Sequence, residues 1–377
     1  MDIEYYTFNS SWNKELNTTL DSQNTLIIIF GSDNVEKIKK PLEEIKNKFT
    51  KSIIIGASTA GEIVMDELKE DSLVLTIVRF KTTRLKLSYK PISSLEDSYN
   101  IAKDIAQDLE DDMLQHIFVL SDGLHINGSQ LADGFSQNIK KGTSVSGGLA
   151  GDNGKFQSTW IIVDGKAKEN YTCGLGFYGE NFYASYSFRG GWDIFGIQRK
   201  VTKSLNNTVY EIDNQPILDI YKKYLGEKAQ ELPASGLLFP LGVYDNENNI
   251  IVRTILAIDE ETKSITFAGN ILQGSNVCLM KSNNDRLIEA ASASSKELSF
   301  EHYNGEPMLN IAISCIGRKL VLKQRVEEEL EATLENLPQN TVQIGFYSFG
   351  EISPSGLLGC DLHNQTMTLT SIWEKDA

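Results

Sequence analysis

The stretch LIIIFGSDNVEKIKKPLEEIKNKFTKSIIIGASTAGEI, residues 26–63, decides the fold. Two Ile-rich runs flank a polar segment whose apolar residues recur at helical spacing, with a Gly-Ser-Asp turn after the first run. That order predicts a β-α-β unit ending in a glycine-flanked acidic turn. The closing octet, GASTAGEI (56–63), returns near the far end of the chain as GFYSFGEI (345–352). Both octets hold a hydroxyl residue (Thr59, Ser348) and a final Gly-Glu-Ile in the same register.

The surrounding unit returns as well. LNIAISCIG (309–317) reads as strand and turn, RKLVLKQRVEEELEATLENL (318–337) as one helix ended by Leu337-Pro338, and TVQI (341–344) as a strand. A third copy lies between them: HIFVLSDG (116–123), a helix in SQLADGFSQNIKKG (129–142), then TSVSGGLAGD (143–152). The register that puts Gly61-Glu62 on Gly151-Asp152 also puts Leu26-Ile27 on His116-Ile117. Three copies in one internal order predict an α/β protein of duplicated β-α-β-turn-β modules, each leading into antiparallel strands, with helices on the sheets.

Residues 185–310 differ in character. IIVRTILAID (250–259) and KSITFAGNI (263–271) predict a hairpin, and Asp213-Asn214-Gln215-Pro216 punctuates the start of a helix at 217–225. At 377 residues the chain is long for a single core. Two intimately joined domains are expected, 1–200 and 201–377.

Composition narrows the function. With 36 basic and 51 acidic residues the net charge is −15, which disfavours nucleic acid and anionic membranes as partners. The four cysteines are far apart and form no CxxC pair, a pattern of reduced thiols. No basic segment followed by an apolar one opens the chain, and LIIIF is far too short to span a bilayer. A cytoplasmic protein without membrane insertion is expected.

The glycine turns are candidate ligand contacts, because glycine lets backbone N–H groups approach a ligand at strand ends. The plainer reading is that they only shape tight turns. None reads GxxxxGK[ST], and GLGFYG (174–179) lacks a strand-to-helix setting, so nucleotide binding is not expected. Ser121 lies in no GxSxG elbow, and Cys315 has only Arg318 nearby to activate it. The histidines His116, His125, His302 and His363 are too dispersed for a structural zinc.

GASTAGEI, LSDG (120–123), SGGLAGD (146–152), VYEIDNQPILDIYKKYLG (209–226), SCIGR (314–318), GFYSFGEISP (345–354) and LHNQTMTLTSI (362–372) together resemble the FIST family, with its N-terminal and C-terminal domains. The resemblance runs from about residue 25 to 373 and implies a sensory input module that binds a small ligand, such as an amino acid, and regulates a histidine kinase or similar effector. The ligand contacts expected are Ser58, Thr59, Glu62, Ser121, Gly147, Gly148, Asp152, Cys315, Arg318, Ser348, Glu351 and Asn364. No catalytic residue and no obligatory cofactor is expected. Some members are haem-binding nitric-oxide sensors, and in that version His363 is the axial ligand. An enzyme using Cys315 or Ser121 stands as the alternative from another class. Nothing after TSIWEKDA (370–377) reads as an output domain, so the expected effector is a separate protein unless the chain is an excised module.

Overall fold

The computed structural model describes residues 1–163, 165–245, 249–355 and 359–375. Strand Thr25–Gly31, helix Val35–Lys48 and strand Ile53–Ser58 form the expected unit, with the strands parallel and Leu26 opposite Ile53. Asn34 caps the helix by accepting the Glu36 N–H at 3.1 Å, and Ile38, Leu42 and Ile45 form its buried stripe. The same parallel pair recurs as Leu114–Ser121 with Ser144–Leu149, and as Met308–Cys315 with Thr341–Ser348.

Each pair is flanked in the same way. A return strand runs antiparallel to the first strand: Leu73–Arg79, Tyr171–Tyr178 or Met367–Glu374. An outer strand then runs antiparallel to the return: Asp2–Asn9, Arg84–Pro91 or Phe182–Arg189.

The other side of each sheet is completed by a hairpin from a different module. The hairpin Glu62–Val64/Glu67–Lys69 of the first module pairs with Thr341–Ser348 of the third. Gly350–Pro354/Cys360–His363 of the third pairs with Ser144–Leu149 of the second. Ile161–Val163/Lys166–Lys168 of the second pairs with Ile53–Ser58 of the first. The exchange is cyclic, so no module completes its sheet alone. Inward residues of all three sheets, among them Ile28, Phe30, Phe118, Leu175, Ile311 and Phe346, share one apolar core. The rings of Phe30 and Phe346 meet at 4.6 Å.

Gly56, Gly147 and Gly345 hold matching places in the three second strands. A Cβ there would lie 2.2, 1.9 and 1.7 Å from the carbonyl oxygens of Ile29, Val119 and Ala312 on the neighbouring strands. These glycines allow close approach of backbone to backbone.

Between Phe182–Arg189 and Met308–Cys315 the third module carries an inserted antiparallel sheet, with helix Ile217–Leu225 packed on its own apolar core. The insert joins the core through two adjacent strands, Asp193–Ile194 running antiparallel to Met280–Lys281. The expected division at residue 200 falls inside strand Arg199–Leu205, and the core sheets draw on both sides of it.

Two local expectations change. The helix expected at 318–337 is two helices, Ile316–Leu322 and Val326–Leu334, with Lys323 at φ 54° between them. In one straight helix Arg318 and Glu329 would lie roughly 16 Å apart along the axis. The break lets them bond. Ile255–Asp259 pairs with Ser264–Phe267 as expected, but Ile250–Arg253 pairs instead with Leu241–Tyr244, leaving Thr254 at a corner. No helix among the described residues is long and apolar enough to cross a membrane.

Candidate functional site

The three glycine-rich turns bind one another. Gly151 N–H donates to the Ser58 carbonyl at 2.9 Å, Ala60 N–H to the Tyr347 carbonyl at 2.8 Å, and Phe349 N–H to the Leu149 carbonyl at 3.2 Å. This ring of bonds links second module to first, first to third, and third to second. Lys319 Nζ adds a tie, donating to the Ala60 carbonyl at 2.6 Å and to Asn153 Oδ1 at 3.1 Å.

The acidic residues of the turns are buried and partnered. Glu62 accepts hydroxyls from Thr59 at 2.6 Å and Ser72 at 2.7 Å. Glu351 accepts Ser348 at 2.6 Å and Thr366 at 2.9 Å, with the Thr366 N–H at 3.2 Å. Burial lifts Glu62 to about 7 and Glu351 to about 8, opposed only in part by those hydroxyls. Asp152 instead closes its own turn, accepting the N–H groups of Phe156, Gln157 and Ser158 at 3.0, 2.6 and 3.2 Å.

The remaining expected contacts are buried too. Ser58 Oγ accepts the Trp160 N–H at 3.0 Å, and Ser121 Oγ pairs with Thr172 Oγ1 at 2.7 Å. Gly147 lies against Val119, and Gly148 faces Glu351 across a strand pair. The structure therefore brings the expected residues together, but around a sealed junction. Open depressions lie elsewhere, beside Ser136, Lys141 and Tyr186 and beside Phe8, Lys37 and Asp71, and none of the expected residues lines either one.

Arg318 is fully engaged within the protein. Its Nε and Nη2 reach Glu329 Oε1 at 2.7 and 2.6 Å, both side chains being completely buried. Tyr347 Oη donates to Glu329 Oε2 at 2.6 Å, and Ser314 Oγ does so at 3.2 Å. The other Arg318 donors serve the carbonyls of Leu287, at 2.9 Å, and Gly190. A ligand carboxylate would have to displace one of these bonds. Cys315 is completely buried, and burial pushes its thiol well above the ordinary range, the opposite of activation.

His363 stacks on Phe188 with ring centroids 3.8 Å apart. Burial lowers its pKa to about 4; the Asp361 charge opposes this and the Arg253 charge adds to it. Its Nε2 has no partner among the described residues. One ring face is thus covered and charged groups stand close by, which is not the apolar slot that a haem requires.

The seam between insert and core has a different character. Thr254 N–H donates to Asn364 Oδ1 at 3.4 Å, and Gln365 Nε2 donates to the Leu237 carbonyl at 3.1 Å. Trp192 Nε1 donates to the Gln365 carbonyl at 2.8 Å. Gly317 makes room for the Gln365 amide, which a Cβ there would meet at 2.2 Å. Four buried atoms along the seam lack a well-formed hydrogen bond among the described residues: Ser235 Oγ, Thr254 Oγ1, Asn364 Nδ2 and Gln365 Oε1, the Thr254 hydroxyl having the Cys315 thiol beside it. Of these residues the sequence pointed only to Asn364. Gln365 lies in the same quoted motif, whereas Ser235 and Thr254 carry no local signal.

The FIST N domain matches residues 25–215 and the FIST C domain residues 218–354. The chain is also 25% identical over 353 residues to an uncharacterized protein of Methanocaldococcus jannaschii, an alignment covering 84% of this chain. The chain spans 65% of that relative's length.

Proposed function

The chain belongs to the FIST family of sensory domains, and from that premise we propose that it is a non-catalytic sensor holding a small ligand at the seam between insert and core. One observation carries this reading: four buried polar atoms without a well-formed hydrogen bond, those of Ser235, Thr254, Asn364 and Gln365, lie along it. A buried polar group left unpaired costs about 1–3 kcal/mol. Polar atoms of a ligand would offset that cost at all four.

The seam is also where a ligand could act on conformation. A ligand shifts an equilibrium only through different affinity for two states. The insert hangs from two adjacent strands, so tilting about 190–194 and 280–283 opens or closes the seam without disturbing the interlocked core. A ligand touching both faces favours closure, and a separate or fused effector, such as a histidine kinase, reads the position of the insert. The burial of Cys315, and the pairing of Ser121 with Thr172 instead of a base, support binding over turnover.

A thermal-shift screen of metabolites, repeated on Thr254→Val and Asn364→Leu, tests the proposal. A hit that stabilises the wild type and fails on both variants supports it. A hit equally strong on both places the ligand elsewhere. Consumption of a metabolite, abolished by Cys315→Ala, would establish an enzyme.

A further inference from the structure

Among the described residues, the charged groups nearest the seam are held mainly by the protein itself. Arg318 is bonded to Glu329 and to backbone carbonyls. Glu351 is held by Ser348 and Thr366 in a site whose burial favours its uncharged form. Cys315 is a buried thiol, held neutral by its surroundings. Arg253 forms no ion pair among the described residues: it donates to the Leu362 carbonyl at 3.1 Å, and burial pulls its pKa down to about 10 although Asp361 and Asp133 supply opposing charge. His363 is kept neutral by burial. What the seam leaves unmatched is therefore chiefly hydrogen-bonding capacity.

The sense of that capacity is also defined. Asn364 presents its oxygen to the Thr254 N–H, so its free atom is the donor Nδ2. Gln365 presents its nitrogen to the Leu237 carbonyl, so its free atom is the acceptor Oε1. The hydroxyls of Ser235 and Thr254 serve in either sense.

Resting on the seam as the binding seat, we infer that the ligand is an uncharged molecule carrying both a carbonyl oxygen and an N–H group, of the amide or lactam class. Its carbonyl accepts from Asn364 Nδ2, its N–H donates to Gln365 Oε1, and the two hydroxyls complete the contacts. A carboxylate of the same shape offers no donor to Gln365 and must give up its water where the nearest unpaired cation, Arg253, already faces Asp361 and Asp133. This differs from the amino-acid expectation, for which Arg318, the expected contact suited to a carboxylate, is already bonded to Glu329.

Propionamide and propionate have the same shape and differ in charge, so they make a direct test. The chain has only four tryptophans, and the indole N–H of Trp192 bonds the Gln365 carbonyl, so its NMR signal reports on the seat. Propionamide is expected to shift that signal saturably, and propionate at matched ionic strength to bind at least about tenfold more weakly. Asn364→Asp, which exchanges the donor for an acceptor, should weaken propionamide by about tenfold or more. Thr254→Val, nearly the same in shape, serves as a second variant and should also weaken it. Propionate binding as tightly as propionamide, with both weakened by Thr254→Val, would overturn the ligand class and leave the seat standing. A Trp192 signal indifferent to both probes, or a propionamide response unchanged in both variants, would overturn the seat itself.

Discussion

Glu62 and Glu351 stand at equivalent corners of two modules, and each receives a hydroxyl from three residues earlier: Thr59 to Glu62 and Ser348 to Glu351, both at 2.6 Å. The repeated Gly-Glu-Ile octets thus build the same buried carboxyl corner twice. Each corner carries a hairpin into a neighbouring module's sheet.

That relationship sets a pH dependence. Burial raises both carboxyls from 4.5, Glu62 to about 7 and Glu351 to about 8, so the folded chain holds these protons more tightly than the unfolded one. Their contribution to stability is complete below about pH 4.5 and is lost as pH rises through about 7 to 8, on the order of 3 kcal/mol per group. Thermal melts between about pH 5 and pH 9 should show the wild type losing stability, and Glu62→Gln/Glu351→Gln should flatten the loss. An equal slope in the double variant would exclude these two groups as its source.

Arg318 and Glu329 form a completely buried ion pair. Glu329→Ala leaves a buried guanidinium uncompensated and should cost about 3–5 kcal/mol in urea denaturation. Tyr347→Phe removes one hydrogen bond to the same carboxylate and should cost about 1–3 kcal/mol. If Glu329→Ala proves the milder change, the Arg318 charge does not depend on Glu329 for compensation.

The close approach at Gly345 admits no side chain. Gly345→Ala drives a methyl onto the Ala312 carbonyl and should destabilise by more than about 3 kcal/mol or prevent folding. Gly350→Ala meets only Leu149 and Leu362 side chains, at 3.0 Å, and should be the milder substitution. Circular dichroism of the two purified variants, with melting curves, makes the comparison.

Thr254→Val should separate stability from binding. It removes a buried hydroxyl that has only the weakly bonding Cys315 thiol beside it, so the ligand-free protein should hold its stability or gain up to about 1 kcal/mol, while ligand affinity falls. A loss of stability in the ligand-free melt would mean that the hydroxyl already has a structural partner.

What the sequence by itself determined was local. The Ile-rich runs and the helical spacing between them were enough for the parallel pairs, because both strands and their crossover lie within one continuous stretch of chain. The repeat of Gly-Glu-Ile was legible for the same reason. Which sheet each hairpin would join was decided only by the tertiary structure. The short strands at 62–64, 161–163 and 350–354 are all largely buried against a neighbouring sheet, and nothing in their few residues names a partner. The backbone bonds among the three turns, between carbonyls and N–H groups that every residue carries, close the cycle. The seam followed the same logic. Ser235 and Thr254 are ordinary polar residues in the sequence, and they acquire chemical meaning only when the insert is laid on the core and takes their water away.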